Sequence, residues 1–424
     1  MILHLDLDSF FASAHRIKDK SLLNRPIAVG GRSNLKIFDR KKVGIRLYDT
    51  NSGAFVNPVF YSDVKDDFDS FFIDYIDGKR KIRGIITTAS YEAREYGVKT
   101  GMSISEALRL CPNLKVLIPN YLLYHKLSHD LHSFLKLKIP KIEQFSIDEF
   151  FGDIGGWIDD DNSLSFAKEL QLDIKREFDL PISIGIAKSK WIAKLATSHA
   201  KPNGICFIPK DEIYKFIKDM PIEEFPGIGR GYKKRLKAQG VLTLGDAIDR
   251  KELFYSWKKP GRVLYNRIIG EDNEEISSKN DRKSIGISRT FDPISDRDEI
   301  KRRVRILSRH ISYIVFKLGV NPTSYYMSLK YDFRHRVKGR KTVDRIYNEE
   351  LVKQIFVEIF DEIDLKLGHI IKISMSVSNF SEHRLKTLSL IDFRSDLEKN
   401  RLYRSVQKMR EKYSLDIIKS ANEL

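Results

Sequence analysis

The sequence predicts an α+β protein of several domains, for three reasons. Residues 1–208 alternate short apolar strand candidates with helix candidates, as layered α/β domains do. Residues 209–275 have a mainly helical pattern. Residues 284–380 follow the order strand, helix, strand, strand, helix, strand, which predicts an antiparallel sheet with both helices on one face. A chain of 424 residues also has the length of roughly three domains.

The first strand ends in acidic residues. In M-I-L-H-L-D-L-D-S-F-F, alternation along a strand puts Asp6 and Asp8 on one face and the leucines on the other. A short helix is expected to begin near Phe10. Apolar periodicity and the positions of Gly and Pro assign the other elements of this region. They are strands at 26–31, 84–88 and 181–187, a hairpin at 142–154, and helices at 91–96, 104–110, 164–178 and 191–199.

The elements of the second half follow from the same patterns. A polar stretch at 276–283 is interpreted as a linker after the helical segment. The last helix is expected to begin with a capping box at Ser395 and Glu398. Its apolar stripe would be Leu402, Val406, Met409 and Tyr413. The second α/β unit would have strands at 284–291 and 369–380, two strands that meet at Gly339, and helices at 296–318 and 349–367.

The charge of the chain favours a polyanionic partner. The formal net charge is +17, so nucleic acid is favoured over a membrane surface, and a generally basic proteome is the alternative. No apolar stretch is long enough to span a bilayer, and the N-terminus lacks the pattern of a signal peptide. Cys111 and Cys206 are isolated, which predicts neither a disulfide framework nor a zinc site. These features indicate a soluble, cytoplasmic protein.

A second acidic element, F-S-I-D-E-F-F, places Asp148 and Glu149 next to each other in the predicted hairpin. Neighbours on a flat strand face opposite ways, so both reach one site only if a turn or bulge falls there. They could then converge with Asp6. Three close carboxylates repel each other unless cations are present, and two Mg²⁺ ions suit oxygen ligands and phosphoryl transfer. Taken singly, such acid pairs are more often solvated residues at strand ends.

Basic residues near these acids suggest a phosphate-binding site. Tyr91 and Arg94 are three residues apart and therefore share a helix face. Lys201 follows directly after another predicted helix. An arginine and a lysine that both face a triphosphate would neutralise its charge, and the helix that opens at Phe10 would offer backbone N–H groups. The alternative for each cation is a solvated surface charge.

Four motifs occur in a fixed order: D-L-D-S-F-F-A, T-A-S-Y-E-A-R-E-Y-G-V, S-I-D-E-F-F and A-K-P-N-G. Together they resemble the Y-family of translesion DNA polymerases, and most of all its bacterial DNA polymerase IV branch. The resemblance implies a right-hand polymerase with a palm, fingers, a thumb and a little finger. The implied boundaries are 1–9 and 120–208 for the palm, 10–119 for the fingers with an insertion at 32–83, 209–275 for the thumb, 276–284 for a linker, 285–380 for the little finger and 381–424 for a tail.

The resemblance also implies roles in the active site. Asp6, Asp148 and the backbone carbonyl of Leu7 would bind two Mg²⁺ ions, Glu149 would be the third catalytic acid, and Asp8 would support them. Phe11 would be a steric gate whose ring excludes a ribose 2′-hydroxyl. The incoming deoxynucleoside triphosphate would contact Tyr91, Arg94, Lys201, Thr88 and Phe10, although core packing is the favoured interpretation of the Phe10 ring.

Two further regions would bind DNA without reading its sequence. The turn P-G-I-G, with Gly227 and Gly229, is typical of a helix-hairpin-helix and precedes Lys233 and Lys234. The alternatives are an ordinary tight turn and, in the little finger, a solvated basic face. The little-finger residues that would contact DNA are Arg289, Arg334, Arg336, Lys338 and Arg340.

The chain departs from the family pattern at two places. Residues 32–83 have no counterpart, and within them Phe68, Phe71, Phe72, Tyr75 and Ile76 have the spacing of an amphipathic helix. We expect that helix to end at Gly78 and to pack on the fingers. The segment T-L-S-L-I, from Thr387 to Ile391, faintly resembles a peptide that binds the sliding clamp, so clamp binding is a further expectation.

The predicted function is template-directed DNA synthesis from deoxynucleoside triphosphates on primer-template DNA, of low fidelity, for lesion bypass and without proofreading. A monomer is expected. One alternative is a nucleotidyl cyclase, which also uses paired metals on a similar sheet but needs neither P-G-I-G nor a basic C-terminal unit. Another is a catalytically silent DNA-binding scaffold, which a missing carboxylate would favour.

Overall fold

A computed structural model describes residues 1–40, 44–48, 59–62, 67–76, 78–278, 282–381 and 392–424. The chain forms two compact units. Of the described residues, the first unit contains 1–30 and 85–278, and the second contains those between 31 and 84 together with 282–424. Among the residues searched, no helix has the length and apolar character needed to cross a bilayer.

The first unit contains the elements predicted for residues 1–275, apart from the insertion. Its strands are β1 (Ile2–Leu7), β2 (Ile27–Gly31), β7 (Ile85–Ala89), β8 (Lys115–Leu117), β9 (Lys141–Gln144), β10 (Glu149–Asp153), β11 (Ile182–Ala187) and β12 (Ile205–Ile208). Its helices are α1 (Phe10–Lys18), α3 (Tyr91–Glu95), α4 (Ile104–Leu110), α5 (Tyr121–Lys138), α6 (Ser163–Phe178), α7 (Lys190–Ala200), α8 (Ile213–Ile217), α9 (Arg230–Lys237), α10 (Leu244–Ile248), α11 (Lys251–Ser256) and α12 (Lys258–Ile268).

The second unit contains the insertion, the predicted βαββαβ region and the final helix. Its strands are β3 (Ile45–Tyr48), β4 (Val59–Ser62), β5 (Ile73–Ile76), β6 (Lys79–Ile82), β13 (Ser284–Ile294), β14 (Asn321–Tyr331), β15 (Arg336–Thr342) and β16 (Ile370–Ser381). Its helices are α2 (Phe68–Phe72), α13 (Arg297–Leu318), α14 (Glu349–Ile363) and α15 (Phe393–Lys412).

A five-stranded sheet of order β12-β11-β1-β10-β9 forms the core of the first unit. Leu3, Leu5 and Leu7 are buried together with residues of α5 and α6, as strand alternation predicts. On the other face α7 packs very close to β11. A side chain at Gly185 would place its Cβ 2.0 Å from the carbonyl oxygen of Ala193, so only glycine allows this approach. The close packing brings the polar side of α7 onto the acid-bearing face of β1.

The βαββαβ order predicted for the second unit is confirmed, but the two middle strands are joined by a turn at 332–335 and do not meet at Gly339, which lies within β15. β13, β14, β15 and β16 form an antiparallel sheet of order β13-β16-β14-β15, and α13 and α14 pack on it. The two helices and one face of the sheet enclose the apolar core. The opposite face of the sheet carries polar residues in rows that follow the strand register. One row is Ser288, Ser374, Ser328 and Lys338, and another is Thr290, Lys372, Lys330 and Arg336.

The prediction of one amphipathic helix between Phe68 and Gly78 is wrong. Asp67 caps a helix that ends at Phe72, and the chain continues as a hairpin of β5 and β6. Ile73, Tyr75 and Ile76 favour strand, and Gly78 has φ +72°, which a hairpin turn can use. A short apolar run of this kind fits both the helix period and the strand period, and in this structure residues 73–82 form a hairpin.

The insertion also differs from the prediction in its location. Its described residues belong to the second unit and not to the unit that contains the fingers region. Ile37, Phe38 and Ile45 are buried in the core formed by α13, α14 and their sheet. The backbone N–H of Leu415 donates to the carbonyl oxygen of Ile45 at 2.6 Å. The insertion and the final segment of the chain therefore complete the core of the second unit.

The final helix was predicted at the right place but with the wrong cap and the wrong buried side. α15 begins at Phe393 after Asp392, so Ser395 does not cap it. Leu402 is 62% exposed, and Met409 and Tyr413 are also exposed. Charged residues hold the helix instead. Arg410 pairs with buried Glu349 at 2.5 Å, and Asp396 pairs with Arg345 at 2.8 Å.

Replacing Glu423 by alanine should strongly destabilise the second unit. Its carboxylate is fully buried and lies 2.7 Å from Arg309, and it also pairs with Lys353. Removing this carboxylate leaves the buried Arg309 without its ion-pair partner, whereas Lys353 keeps its pair with Glu349 at 2.8 Å, and the expected cost is about 3–5 kcal/mol. Urea unfolding followed by circular dichroism measures the loss.

Two observations serve as controls for this variant. Glu411→Ala removes a partly exposed pair with Lys317 and should cost less than about 1 kcal/mol. Tryptophan fluorescence reports on the first unit, because Trp157, Trp191 and Trp257 all lie there, and its transition should not move. Equal losses in the two glutamate variants would contradict the prediction.

Candidate active site

The predicted carboxylates meet at one end of the five-stranded sheet. Asp6 on β1 is the direct cross-strand partner of Glu149 on β10. Asp148 lies in the turn immediately before β10, and the N–H of Leu7 donates to its carbonyl oxygen at 3.0 Å. A turn at this point allows two adjacent acids to reach one site. Strands separated by about 140 residues in the sequence thus bring the three acidic residues to the same end of the sheet.

Two lysine ammonium groups contact these carboxylates. The Nζ of Lys201 lies 2.6 Å from Asp6 Oδ1, and the Nζ of Lys194 lies 2.6 Å from Glu149 Oε2. His4 Nε2 lies 3.8 Å from the same Glu149 oxygen, and its Nδ1 contacts the Thr197 hydroxyl at 2.9 Å. Each cation offsets part of the repulsion that three close carboxylates would otherwise have.

The pKa values of the three carboxylates are shifted in different directions. Burial raises the pKa of Asp6 to about 7, and Lys201 opposes this shift while Glu149 and Asp148 add to it. Burial also raises the pKa of Asp148. Burial acts on Glu149 in the same direction, but His4 and Lys194 outweigh it and hold the pKa of Glu149 well below its usual value. Burial lowers the pKa of His4 to about 4, so that ring is neutral at pH 7.

Asp8 is held by donors from the protein. Its carboxylate accepts hydrogen bonds from the Ser183 hydroxyl at 2.9 Å, the Asn203 N–H at 2.6 Å and the Tyr91 hydroxyl at 3.1 Å. Its side chain is almost fully buried. These contacts connect β1, β11, α3 and the loop after α7, which agrees with the supporting role expected for Asp8.

The residues proposed for the triphosphate lie around this end of the sheet. Tyr91, the first residue of α3, is tied to Asp8, and burial and that carboxylate raise the pKa of its hydroxyl. The guanidinium of Arg94 lies 4.7 Å from the centre of the Tyr91 ring and is largely exposed. Thr88 is half-buried near the end of β7, and Lys201 follows α7 directly. Only Lys201 contacts a catalytic carboxylate.

The two phenylalanines at the start of α1 have different surroundings. Phe10 is buried in the core of the first unit, which agrees with core packing for its ring. Phe11 is half-buried, and its ring stacks on that of Tyr124 with centroids 4.1 Å apart and planes 10° apart. Tyr121 meets the same ring edge-on. The Phe11 ring is thus packed against two tyrosine rings of α5.

The sequence analysis missed His4, Lys194 and Thr197. A signal was present in the helix, because Lys194, Thr197 and Lys201 are spaced at i, i+3 and i+7 on the face that meets β1. His4 is two residues before Asp6 and therefore shares its strand face. Lys194 and His4 position Glu149, the carboxylate whose charge they stabilise.

The helix-hairpin-helix candidate has the backbone geometry that its sequence suggests. Gly227 has φ +100°, a conformation that requires glycine, and Gly229 is the N-cap of α9. Lys234 is exposed in the last turn of that helix, whereas Lys233 pairs with Glu223 at 2.9 Å. The two glycines leave the turn accessible to a close backbone partner.

The proposed DNA-binding residues of the second unit do not all share one surface. Arg336, Lys338 and Arg340 are exposed on the polar face of the sheet, along the edge strand β15. Arg334 is exposed in the turn before β15. Arg289 is on the same strand face as Ile285 and Ile287 and therefore points away from the polar face of the sheet. There its Nε donates to the Asn34 carbonyl oxygen at 3.2 Å. The clamp-like segment, residues 387–391, lies outside the described residues.

The donors at the site suit a divalent cation. Asp6, Asp148 and the Leu7 carbonyl offer hard oxygen ligands, the type that Mg²⁺ prefers. Among the described residues, no three His, Cys, Asp or Glu side chains already converge as a metal-binding group. The ammonium groups of Lys201 and Lys194 contact the carboxylate oxygens instead. These contacts mark two places beside the acids where positive charge is favourable.

The raised pKa of Asp6 should give the metal-free first unit a contribution to stability that is lost as the pH rises. Between about pH 4 and pH 7 the folded state keeps the Asp6 proton that the unfolded state has lost, so this contribution to the free energy of unfolding falls with pH. Burial lowers the pKa of His4, His125 and His132 to about 4, and these histidines give the opposite trend, so the Asp6 contribution is measured as a difference between the wild type and a variant.

Thermal unfolding followed by tryptophan fluorescence, with a chelator present, measures this dependence. Asp6→Asn removes the Asp6 contribution, so the melting temperature of this variant minus that of the wild type should rise between about pH 4 and pH 7. Asp161→Asn, at an exposed position of the same unit, should keep a constant difference from the wild type. A difference between Asp6→Asn and the wild type that stays constant through this pH range would contradict the assignment.

Comparisons with family profiles, with curated proteins and with solved structures all indicate the same family. The profile of the impB/mucB/samB family matches residues 65–198, and the profile of its C-terminal domain matches residues 282–390. Together the two matches span more than half of the chain. DNA polymerase IV of Staphylococcus aureus strain Mu3 is 28% identical over 397 residues, which is 92% of this chain and 98% of the relative. The same protein of strain Newman matches to the same extent.

Solved structures have the same fold. A Y-family DNA polymerase chimera of Dbh and Dpo4 matches with a TM-score of 0.70 at 20% identity, and the match covers 89% of this chain and 98% of that one. DinB from Sulfolobus solfataricus matches with a TM-score of 0.54 at 19% identity and the same coverage. These likenesses confirm the predicted right-hand polymerase fold. This chain belongs to the impB/mucB/samB family, the Y-family of translesion DNA polymerases.

Proposed function

We propose that this polymerase adds deoxynucleoside triphosphates to a primer 3′ end at the site formed by Asp6, Asp148 and Glu149. The observation that carries the assignment is the cross-strand pairing of Asp6 with Glu149 beside Asp148, with Lys201 2.6 Å from Asp6. Metal dependence is a property of the family. Two Mg²⁺ ions held by Asp6, Asp148 and the Leu7 carbonyl would stabilise the attacking and leaving oxygens of phosphoryl transfer.

The surrounding residues bind and orient the reactants. Lys201 and Arg94 supply positive charge for the triphosphate, and the Tyr91 hydroxyl, anchored on Asp8, fixes the helix that presents Arg94. Glu149, kept ionised by Lys194 and His4, is placed to accept a proton or to orient the primer end. The Phe11 ring, braced on Tyr124, would exclude a ribose 2′-hydroxyl.

Two surfaces are suited to the phosphates of primer-template DNA. The turn at Gly227 and Gly229 exposes backbone N–H groups at the start of α9. The polar face of the second unit combines rows of serine hydroxyls with the cations Arg336, Lys338 and Arg340. Contacts of both kinds position a duplex without reading its sequence. One structural neighbour is described as an insertion ternary complex of Dbh DNA polymerase, which supports DNA and nucleotide as the partners here.

The finer properties follow from the family and remain part of this proposal. They are synthesis past damaged bases without proofreading, a monomeric polymerase in the cytoplasm, and clamp binding through residues 387–391. The cyclase and scaffold alternatives are not favoured. A cyclase does not need the polar sheet of the second unit, and a silent scaffold would not need three carboxylates with shifted pKa values.

Primer extension by the purified protein is the decisive experiment. We expect extension on undamaged and damaged templates in the presence of Mg²⁺ and none with a chelator. Formation of a cyclic nucleotide from a triphosphate alone would support the cyclase instead. DNA binding without either reaction would support the scaffold.

A further inference from the structure

On the polar face of the second unit, every strand except the edge strand β13 carries cations. On β15, Arg336, Lys338 and Arg340 face that side of the sheet, and the central strands add Lys330 and Lys372. On β13, the residues in register with the β15 cations are Thr290, Ser288 and Gly286, which carry no charge. A duplex lying across this face would find cations on β15 and on the central strands, and only hydroxyls and backbone along β13.

The insertion lies against this uncharged edge. The N–H of Thr290 donates to the Ser33 hydroxyl at 3.4 Å, and Arg289 contacts the Asn34 carbonyl oxygen. Near the end of β13, Asp292 pairs with Arg83 of the insertion at 2.5 Å. These three contacts fix the two ends of the insertion along β13, within the second unit.

The hairpin of β5 and β6, which we call the basic ribbon, is the exposed part of the insertion next to this edge. Lys79, Arg80 and Lys81 are all exposed on β6. Among the described residues, Lys79 and Lys81 form no ion pair, and Arg80 has only a distant and exposed partner in Asp69 at 3.4 Å. Such an exposed pair contributes little and leaves the charge available.

The ribbon is anchored by its other residues. Asp74, the one acid on the described part of β5, is the cross-strand partner of Lys81 but forms its ion pairs with Arg32 at 2.5 Å and Arg83 at 3.4 Å. The N–H of Arg83 donates to the Phe72 carbonyl oxygen at 2.7 Å, and the Phe72 ring is completely buried. The cations are thus presented on a fixed element of the second unit.

We propose that the basic ribbon binds the phosphate backbone of DNA held on the polar face, as a second cationic edge opposite β15. The proposal rests on the DNA-binding role given to that face above. Lys79 and Lys81 share a face of β6 and are separated by about 6.8 Å, which is also about the axial rise of two nucleotides. Exposed cations on an element whose base is tied to β13 through Arg83 and Asp292 fit a polyanion that already lies on the sheet.

Salt dependence of DNA binding tests the proposal. The neutralised variant carries Lys79→Gln, Arg80→Gln and Lys81→Gln, and the probe is a fluorescent primer-template duplex titrated from about 50 to about 300 mM KCl. Arg80 points to the other face of β6, so the loss of the two phosphate contacts of Lys79 and Lys81 should make the slope of log affinity against log salt shallower by about 2. The dissociation constant at about 0.1 M salt should rise about tenfold or more.

A control variant with the same change of net charge carries Arg401→Gln, Arg404→Gln and Lys408→Gln, three exposed positions of α15. It should bind with the wild-type slope. A wild-type slope in the neutralised ribbon, or an equal loss in both variants, overturns the proposal. Failure of the proposed function looks different, because wild-type protein would then not extend a primer even if the ribbon variant loses DNA affinity.

Discussion

Replacing Asp148 by alanine is expected to abolish primer extension while DNA binding persists. Asp148 lies in the turn that brings it beside the Asp6–Glu149 pair, and its carboxylate is one of the oxygen donors suited to a cation. Losing several kcal/mol of charge stabilisation in the transition state lowers the rate by about 10³-fold or more. Single-turnover extension with Mg²⁺ measures the loss.

This variant should not be less stable than the wild type. Burial raises the pKa of Asp148, and Glu149 raises it further, so the ionised side chain is unfavourable in the folded metal-free state. Removing it relieves repulsion among three carboxylates. An unchanged or raised melting temperature, with unchanged affinity for primer-template DNA, would show that the loss is chemical. Asp161→Ala is the matched control, because this exposed acid of the same unit should retain full activity. Substantial extension by the Asp148 variant would contradict the site.

Replacing Phe11 by alanine is expected to admit ribonucleotides. The ring is fixed by stacking on Tyr124 and by the edge contact with Tyr121, so it cannot move away from a 2′-hydroxyl. Steric exclusion of this kind is worth on the order of 2–3 kcal/mol, and its loss should lower the preference for deoxyribose by about 10²-fold. The ratio of kcat/KM for the two nucleotide types measures the effect.

A conservative variant separates the gate from general damage to the site. Phe11→Tyr keeps a six-membered ring at the same position and should retain most of the discrimination. Loss of the stack on Tyr124 costs only about 0.5–1.5 kcal/mol, so Phe11→Ala should remain folded and active with deoxynucleotides. Continued rejection of ribonucleotides by Phe11→Ala would refute the gate assignment.

The sequence predicted the catalytic carboxylates because local rules were sufficient there. Strand alternation put Asp6 opposite the leucines, and the motif order identified Asp148 and Glu149 as partners from a distant strand. Their pairing across β1 and β10 follows from that alternation once the two strands are neighbours. The βαββαβ order of the second unit was also predicted, since long periodic segments carry the clearest signals.

Other features depended on contacts that periodicity does not encode. The stripe on α15 is apolar in sequence, yet the helix is held by Arg410 and Asp396, whose partners come from α14 and the segment before it. Arg289 is a residue type that often contacts DNA, but it lies on the strand face that meets the insertion and contacts Asn34 there. Gly185 allows α7 to pack directly on the sheet, and this close packing brings Lys194 to Glu149 and Thr197 to His4.

By itself the sequence determined the family, the fold class and which acids lie at the candidate site, because residue type and spacing along one strand or helix specify these. The tertiary structure alone decided where the insertion lies, which side of α15 is buried and which cations are exposed on the polar face. Those outcomes depend on which distant segment buries each side chain. The free energies of burial and of ion pairing depend on residues that are far apart in the chain, so a local sequence pattern does not predict them.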